Sequence, residues 1–296
     1  MSANKINRVA IFGGTHGNEL TGIYLIKKFE SLPHLIQRPS FESVTFFANP
    51  KAYAIGKRYY ETDLNRCFTR QDLENQNLST YEGQRAKEIS RIYGTGGEKQ
   101  ADFAIDLHST TSNMGLTIIL PSLNSFHLEL SAYLVSINPE IKVLYSIIQN
   151  EENPHLDSIS EFGCTIEVGA VAQGILDAHL FQQTEALIYT ILDFVEVYNQ
   201  EIVQLVNNTL TFYKVTHTID YPRDESGEIQ AMIHPGLQFQ DYQPVNPGEP
   251  MFLTFFGEDI VYHGDSTIYP VFINEAAYYE KGTAMCVTQI SEIKLS

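Results

Sequence analysis

Cysteine is scarce in this chain: Cys67, Cys164 and Cys286 are the only 3 in 296 residues. Odd in number and far apart, they argue against a disulfide framework and for a reducing cytoplasm. They also lack the paired spacing of a structural zinc knot, so any metal here has to be held by histidine and carboxylate. Positive charge is scarce too. With 19 Lys and Arg against 36 Asp and Glu, the formal net charge is -17, which repels a phosphate backbone and sets nucleic acid aside as a partner. Small acidic substrates stay admissible, because a few local arginines override the global field. No apolar stretch approaches the roughly 20 residues that span a bilayer, so no membrane is expected. The opening MSANKINRVAIFGG has no small-residue cleavage site of a signal peptide.

What is present is the balance of an ordinary globular enzyme, 43% hydrophobic and 19% charged, in a chain long enough for two domains or for one with an appendage. Up to about residue 199, short apolar runs (8–13, 43–49, 103–108, 116–120, 142–147 and 164–169) alternate with helix-like stretches at 19–30, 79–93, 124–137 and 175–199. The second of these opens with Ser79-x-x-Glu82, the pattern of a capping box. Near-continuous apolar strands alternating with helices indicate an α/β sheet covered on both faces. After about residue 200, Gly and Pro punctuate strand-like runs such as LTFYKV, IQAMIH, MFLTFF, TIYPVFI and AMCVTQI, with turns at DESGE and NPGEP. Residues 1–200 are thus expected to form an α/β domain and residues 201–296 a smaller, β-rich one.

Four constellations carry chemistry. In GGTHGNE, after the first strand, His16 and Glu19 stand three apart and can converge on one point at the sheet's carboxyl end, where ligands of open α/β sheets gather. Imidazole and carboxylate suit zinc, and the glycines let backbone come close. In DLHSTTSNMG, His108 closes the strand FAIDLH and reads either as a third ligand, leaving a fourth position for water, or as a satisfied core or rim histidine. Asp106 is expected on the opposite face of that strand, away from His108. RYYETDLNRCF sets Arg58, Asp63, Asn65 and Arg66 among apolar residues without helical or strand period. Such a loop suits recognition of a carboxylate by a guanidinium fork, and equally an ion-paired surface loop. In CTIEVG, Glu167 interrupts an apolar strand, a costly place for a carboxylate without a partner. It reads as the general base beside a metal-activated water, or as an edge-strand Glu facing solvent.

These motifs in this order, GGTHGNELTG, RY-x4-DLNR, DLH-x-TTSNMG and IEVG-x3-QG, resemble the aspartoacylase and succinylglutamate desuccinylase family, relatives of the zinc carboxypeptidases. YPRDESGEIQAMIHP and YPVFINEAAYYEK extend the resemblance over nearly the whole chain, from about Arg8 to Lys281. It implies a carboxypeptidase-like mixed sheet covered by helices on both faces, with the β-rich part capping the mouth of the site. It implies one zinc ion per chain on His16, Glu19 and His108, with Glu167 as base and acid. Arg58 would polarise the scissile carbonyl, Asn65, Arg66 and Tyr278 would bind substrate, and Asp63 would support the loop. The activity implied is hydrolysis of N-acyl-L-aspartate to a carboxylate and L-aspartate. A homodimer or higher homo-oligomer is compatible with it. The chain departs from the family at Asp157, where N-acetylaspartate hydrolases carry an Arg for the second substrate carboxylate. Realignment cannot supply one, because no Arg occurs between Arg91 and Arg223. Unless His155 or Lys142 substitutes, an anionic Asp157 facing the substrate's side chain is expected to weaken N-acetylaspartate. Two rivals follow: a sister zinc hydrolase, such as a desuccinylase, a peptide carboxypeptidase or a deacylase of neutral or aromatic N-acyl amino acids, and a non-enzymatic module whose GGTHG cradles a phosphate.

Overall fold

The computed structural model describes residues 5–146, 152–205 and 208–295. The apolar runs of the first part form β1 (Arg8–Gly13), β2 (Glu42–Phe47), β3 (Phe103–Ser109), β4 (Gly115–Leu120), β5 (Lys142–Tyr145) and β6 (Phe162–Gly169). Position 147, expected to close the fifth run, lies outside the described residues. The helices are α1 (Leu20–Ser31), α2 (Pro50–Ala54), α3 (Arg70–Glu74), α4 (Tyr81–Tyr93), α5 (Ser125–Ile137) and α6 (Ala178–Asn199). The second part adds β7 (Thr209–Ile219), β8 (Ala231–Ile233), β9 (Pro250–Thr254), β10 (Asp259–Val261), β11 (Tyr269–Val271) and β12 (Met285–Lys294). No helix among the described residues is long and apolar enough to cross a membrane.

One nine-stranded sheet runs β11-β12-β7-β5-β4-β6-β3-β1-β2, and β10-β9-β8 form a separate sheet of three. The large sheet is mixed: β2, β1, β3 and β6 are parallel, whereas β4 opposes β6 but runs with β5. β7 joins it by pairing parallel with β5. Three strands from beyond residue 200 therefore extend the sheet of the first part, while Tyr221, Ala231, Ile233, Met251 and Phe252 form a smaller core of their own.

The two-residue period of a strand assigns the faces. On one face Val9 and Ile11 of β1, Phe103, Ile105 and Leu107 of β3, and Cys164, Ile166 and Val168 of β6 pack under apolar side chains of α1, α5 and α6. On the other, Ala10, Phe12 and Ala104 pack against Ala86, Ile89 and Tyr93 from α4. Toward the carboxyl ends of β3 and β6 that second face turns polar, with Asp106, His108, Thr165 and Glu167 in place of hydrocarbon, all buried.

The N-cap of α4 differs from the expected capping box. Thr80, not Ser79, receives the Gly83 N–H, because its extended backbone aims the hydroxyl at the first turn. Glu82 is fully buried and turns to another segment, accepting from the backbone N–H of Tyr60 (2.6 Å), Glu61 (3.1 Å) and Thr62 (3.2 Å) and from Asn49 Nδ2 (3.1 Å). It thereby holds the stretch that follows Arg58.

Candidate active site

β1 ends at Gly13, and the chain turns through Gly14, whose φ of +73° favours glycine. Gly17 then presses so close to α2 that a Cβ would lie 2.2 Å from the backbone at Ala52 and Tyr53. This tight turn sends both His16 and Glu19 inward, with Glu19 at the N-cap of α1. His108 arrives from the end of β3, which pairs with β1. His16 Nδ1 lies 2.7 Å from Glu19 Oε1, His108 Nδ1 lies 2.9 Å from Oε2, and the two Nδ1 atoms are 3.0 Å apart. One ligand atom from each residue falls within 4.8 Å of the others, and all three residues are buried, a group that could hold a metal ion. Burial alone would raise the Glu19 carboxyl; the charge and hydrogen bonds of His16 and His108 outweigh it and hold the group well below the usual carboxylate range.

Each imidazole is steadied from behind. His16 Nε2 donates to Asp63 Oδ1 (2.9 Å), and His108 Nε2 donates to Asp106 Oδ2 (2.7 Å). With Nε2 of each ring held by these carboxylates, Nδ1 is the atom that both rings turn toward Glu19. This is the arrangement in which outer carboxylates orient metal-binding histidines. It corrects the expectation for Asp106: residues two apart on a strand share a face, so Asp106 and His108 point the same way. Asp106 also accepts the Thr15 hydroxyl at 2.7 Å. Asp63 has further duties, capping the turn at Asn65 N (3.0 Å) and receiving Arg58 (3.4 Å) and Lys281 (3.2 Å) on its second oxygen.

A cleft with a cavity volume of about 170 Å³ opens over this group, and Arg58, Asn65, Arg66, Glu167 and Tyr278 all line it. The RYYETDLNRCF loop is thus part of the site and not an outlying surface loop. Arg58 reaches Glu19 at 3.1 Å, and Arg66 is tied to the Asn65 carbonyl at 2.6 Å. Asn65 is buried and spends its side-chain oxygen on Leu156 N (2.8 Å), so it fastens the loop as well as lining the cleft. Glu167 stands beside His108 in the parallel β3–β6 register and faces the cleft, which removes the solvent-facing reading. Burial pushes its carboxyl well above the usual range, with His108 and Arg58 opposing. Burial likewise raises the Tyr278 phenol.

Some residues escaped sequence reasoning. Glu275 lines the cleft and accepts from the Thr110 hydroxyl, from Thr111 N (2.8 Å) and from the Thr111 hydroxyl (2.9 Å), clamping the loop after His108. Its neighbours in FINEAAYYEK were the available signal. His155, named above as a stand-in for the missing Arg, faces the cleft, and burial together with the Arg66 guanidinium pushes its imidazole down to about 3, which leaves it neutral. Asp157 does not confront a substrate as expected. Its carboxylate lies behind Thr165, bonded to Thr165 Oγ1 and Asn153 Nδ2, both at 3.2 Å, because the side chain is drawn under β6 where those donors wait. Burial, with Asp106 nearby, raises it to about 6.

Residues 5–195 match the model of the succinylglutamate desuccinylase/aspartoacylase catalytic domain, and residues 208–290 that of the AstE/AspA barrel-sandwich hybrid domain. The chain is 58% identical over 286 residues to a probable aspartoacylase of a Nostoc species, covering 97% of each. It is 41% identical to the human N-acyl-aromatic-L-amino acid amidohydrolase (carboxylate-forming), covering 96% of this chain and 91% of that one. The crystal structure of murine aminoacylase 3 superposes with a TM-score of 0.93 at 39% identity, covering 99% of this chain and 98% of that one.

Proposed function

Since the chain belongs to the succinylglutamate desuccinylase/aspartoacylase family, we propose that it hydrolyses the amide bond of a small N-acyl amino acid with one zinc ion held by His16, Glu19 and His108. The relatives' names differ in the amino acid but share this reaction. The observation that carries the reading is the pairing of a buried His-Glu-His group with a raised carboxyl, Glu167, one strand away in the same cleft. Two imidazoles and one carboxylate, with both rings backed by carboxylates, fit a catalytic zinc that keeps a fourth position open. When bound, zinc supplies Lewis acidity, polarising the scissile carbonyl and making a water molecule acidic near neutral pH.

The remaining work belongs to side chains. Glu167 takes a proton from the attacking water and returns it to the leaving amine, and a carboxyl raised by burial is suited to both halves of that transfer. Arg58 donates to the oxygen on which negative charge develops. Arg66, with Asn65 and Tyr278 beside it, holds the substrate's α-carboxylate. Asp63 keeps His16 and Arg58 in place together. A phosphate-binding module is disfavoured because Glu19, Glu167 and Glu275 line the cleft. The compartment in this reading is the cytoplasm, where the free cysteines stay reduced. Purified protein is expected to carry about one zinc per chain and to release free amino acid from an N-acyl amino acid panel. Protein without bound metal, or metal-loaded protein inert on the whole panel, refutes the proposal.

A further inference from the structure

Taking the hydrolase reading as its basis, we infer that Tyr242, which stands behind the cleft, is a positioning residue for Glu167 and acts through the hydroxyl of Thr117. The sheet sets this up. β4 runs antiparallel to β6, and Thr117 stands directly opposite Glu167 in that pairing. Opposed residues of an antiparallel pair share a face, with Cβ atoms about 4.5–5.5 Å apart. Thr117 is fully buried, so its hydroxyl has to find its partners within the protein.

A hydroxyl has one proton to give. Thr117 Oγ1 gives it to the carbonyl of Met114, the residue before β4, at 2.9 Å, and the Tyr242 phenol oxygen lies 2.9 Å from the same Oγ1. With the Thr117 proton spent on a carbonyl, the phenol is the donor in this second contact. The chain from Tyr242 through Thr117 to Met114 is therefore directional, and it runs past Glu167 instead of into it. Turning the Thr117 proton toward Glu167 would break the first bond and misalign the second. Tyr242 is held in place against its backbone preference. It is buried, and its φ of +65° is uncommon for a bulky side chain and persists only where the surroundings over-determine it. Its N–H donates to Pro270 O at 2.8 Å and its ring lies 4.6 Å from that of Tyr213. Asp241, just before it, accepts from Ile273 N and Asn113 N, both at 3.0 Å. The phenol is close enough to Glu167 to feel its charge. The ring alone would satisfy the packing; the hydroxyl adds the donor that keeps Thr117 turned away. A carboxylate bonded by a neighbouring hydroxyl has one oxygen pinned and accepts a further proton less readily. Glu167 is spared that bond and stays available to the attacking water and the leaving amine.

The test is Tyr242→Phe, zinc-loaded and assayed on the N-acyl amino acid that the wild type turns over fastest. Without the phenol, the Thr117 proton is free to swing to Glu167. Then kcat is expected to fall about tenfold, the scale of one charge-assisted hydrogen bond, with KM and zinc content unchanged. Adding Thr117→Val removes the stray donor, and kcat of the double variant is expected to recover to within about threefold of wild type. A merely structural role for Tyr242 predicts further loss in the double variant instead. Unchanged kcat in the folded single variant, or no recovery in the double one, overturns the inference and leaves the hydrolase reading intact. A wild type inert on every N-acyl amino acid overturns both. If Tyr242→Phe does not fold, the double variant, with neither hydroxyl left to satisfy, decides the matter: kcat more than about tenfold below wild type overturns the inference.

Discussion

Replacing Glu167 by glutamine keeps the shape of the side chain and removes its capacity to accept a proton. The carboxyl stands beside His108 in the strand register, within the fields of Glu19, Glu275 and Arg58. Loss of a general base costs about 10²–10⁴-fold in kcat, or about 3–5 kcal/mol of barrier. Zinc content and KM are expected to stay close to wild type, since Glu167 is not among the ligand group. A second signature runs the other way. Burial raises the folded-state pKa of Glu167 above its unfolded value, so its contribution to stability is full at pH below the unfolded value and is lost as pH rises through the folded one. Metal-free wild type therefore gives up stability at neutral pH that Glu167→Gln retains. Steady-state release of amino acid, zinc analysis and thermal unfolding of the metal-free proteins at pH 5 and pH 8 read all three. The reasoning fails if the zinc-loaded variant keeps kcat within tenfold of wild type, or if the variant is less stable than wild type at pH 8.

His108→Ala is expected to abolish zinc binding and activity while leaving the chain folded, as a catalytic rather than structural site requires; full zinc retention refutes it. Asp106→Asn removes the carboxylate behind His108, and zinc affinity measured against a competing chelator should weaken by about 10–100-fold; unchanged affinity denies Asp106 its orienting role. Glu82→Ala strips the acceptor from three backbone N–H groups and Asn49. It should cost about 2–4 kcal/mol in denaturant unfolding and lower kcat/KM by loosening the stretch after Arg58, and unaltered stability refutes it.

Strands β1, β3, β4 and β6 were legible because their apolar runs are buried on at least one whole face, and hydrophobic period is the strongest local signal. The convergence of His16, Glu19 and His108 was legible for a related reason: polar residues closing such runs have nowhere to go but the sheet's carboxyl edge. What stayed hidden depends on partners distant in sequence. Glu82 looked like a helix cap because Ser79-x-x-Glu82 satisfies a local pattern, yet three N–H groups around Tyr60 outbid it. Asp157 looked like a hostile wall because alignment gives a position but not a direction, and Thr165 and Asn153 turn it under the sheet.

The Glu275 clamp bears on how proteins of this kind can be recombined. The segment after His108 owes its shape to a carboxylate more than 160 residues downstream, at Glu275, and Asp241 adds a hold on Asn113 N at 3.0 Å. The loop after His108 and the tail are thus two halves of one lock. Exchanging the tail for that of a relative should succeed when the donor brings a carboxylate to the place of Glu275. A donor with an apolar residue there would leave the Thr110 and Thr111 donors facing nothing. Breeding new specificities by shuffling tails therefore has to start from this pairing.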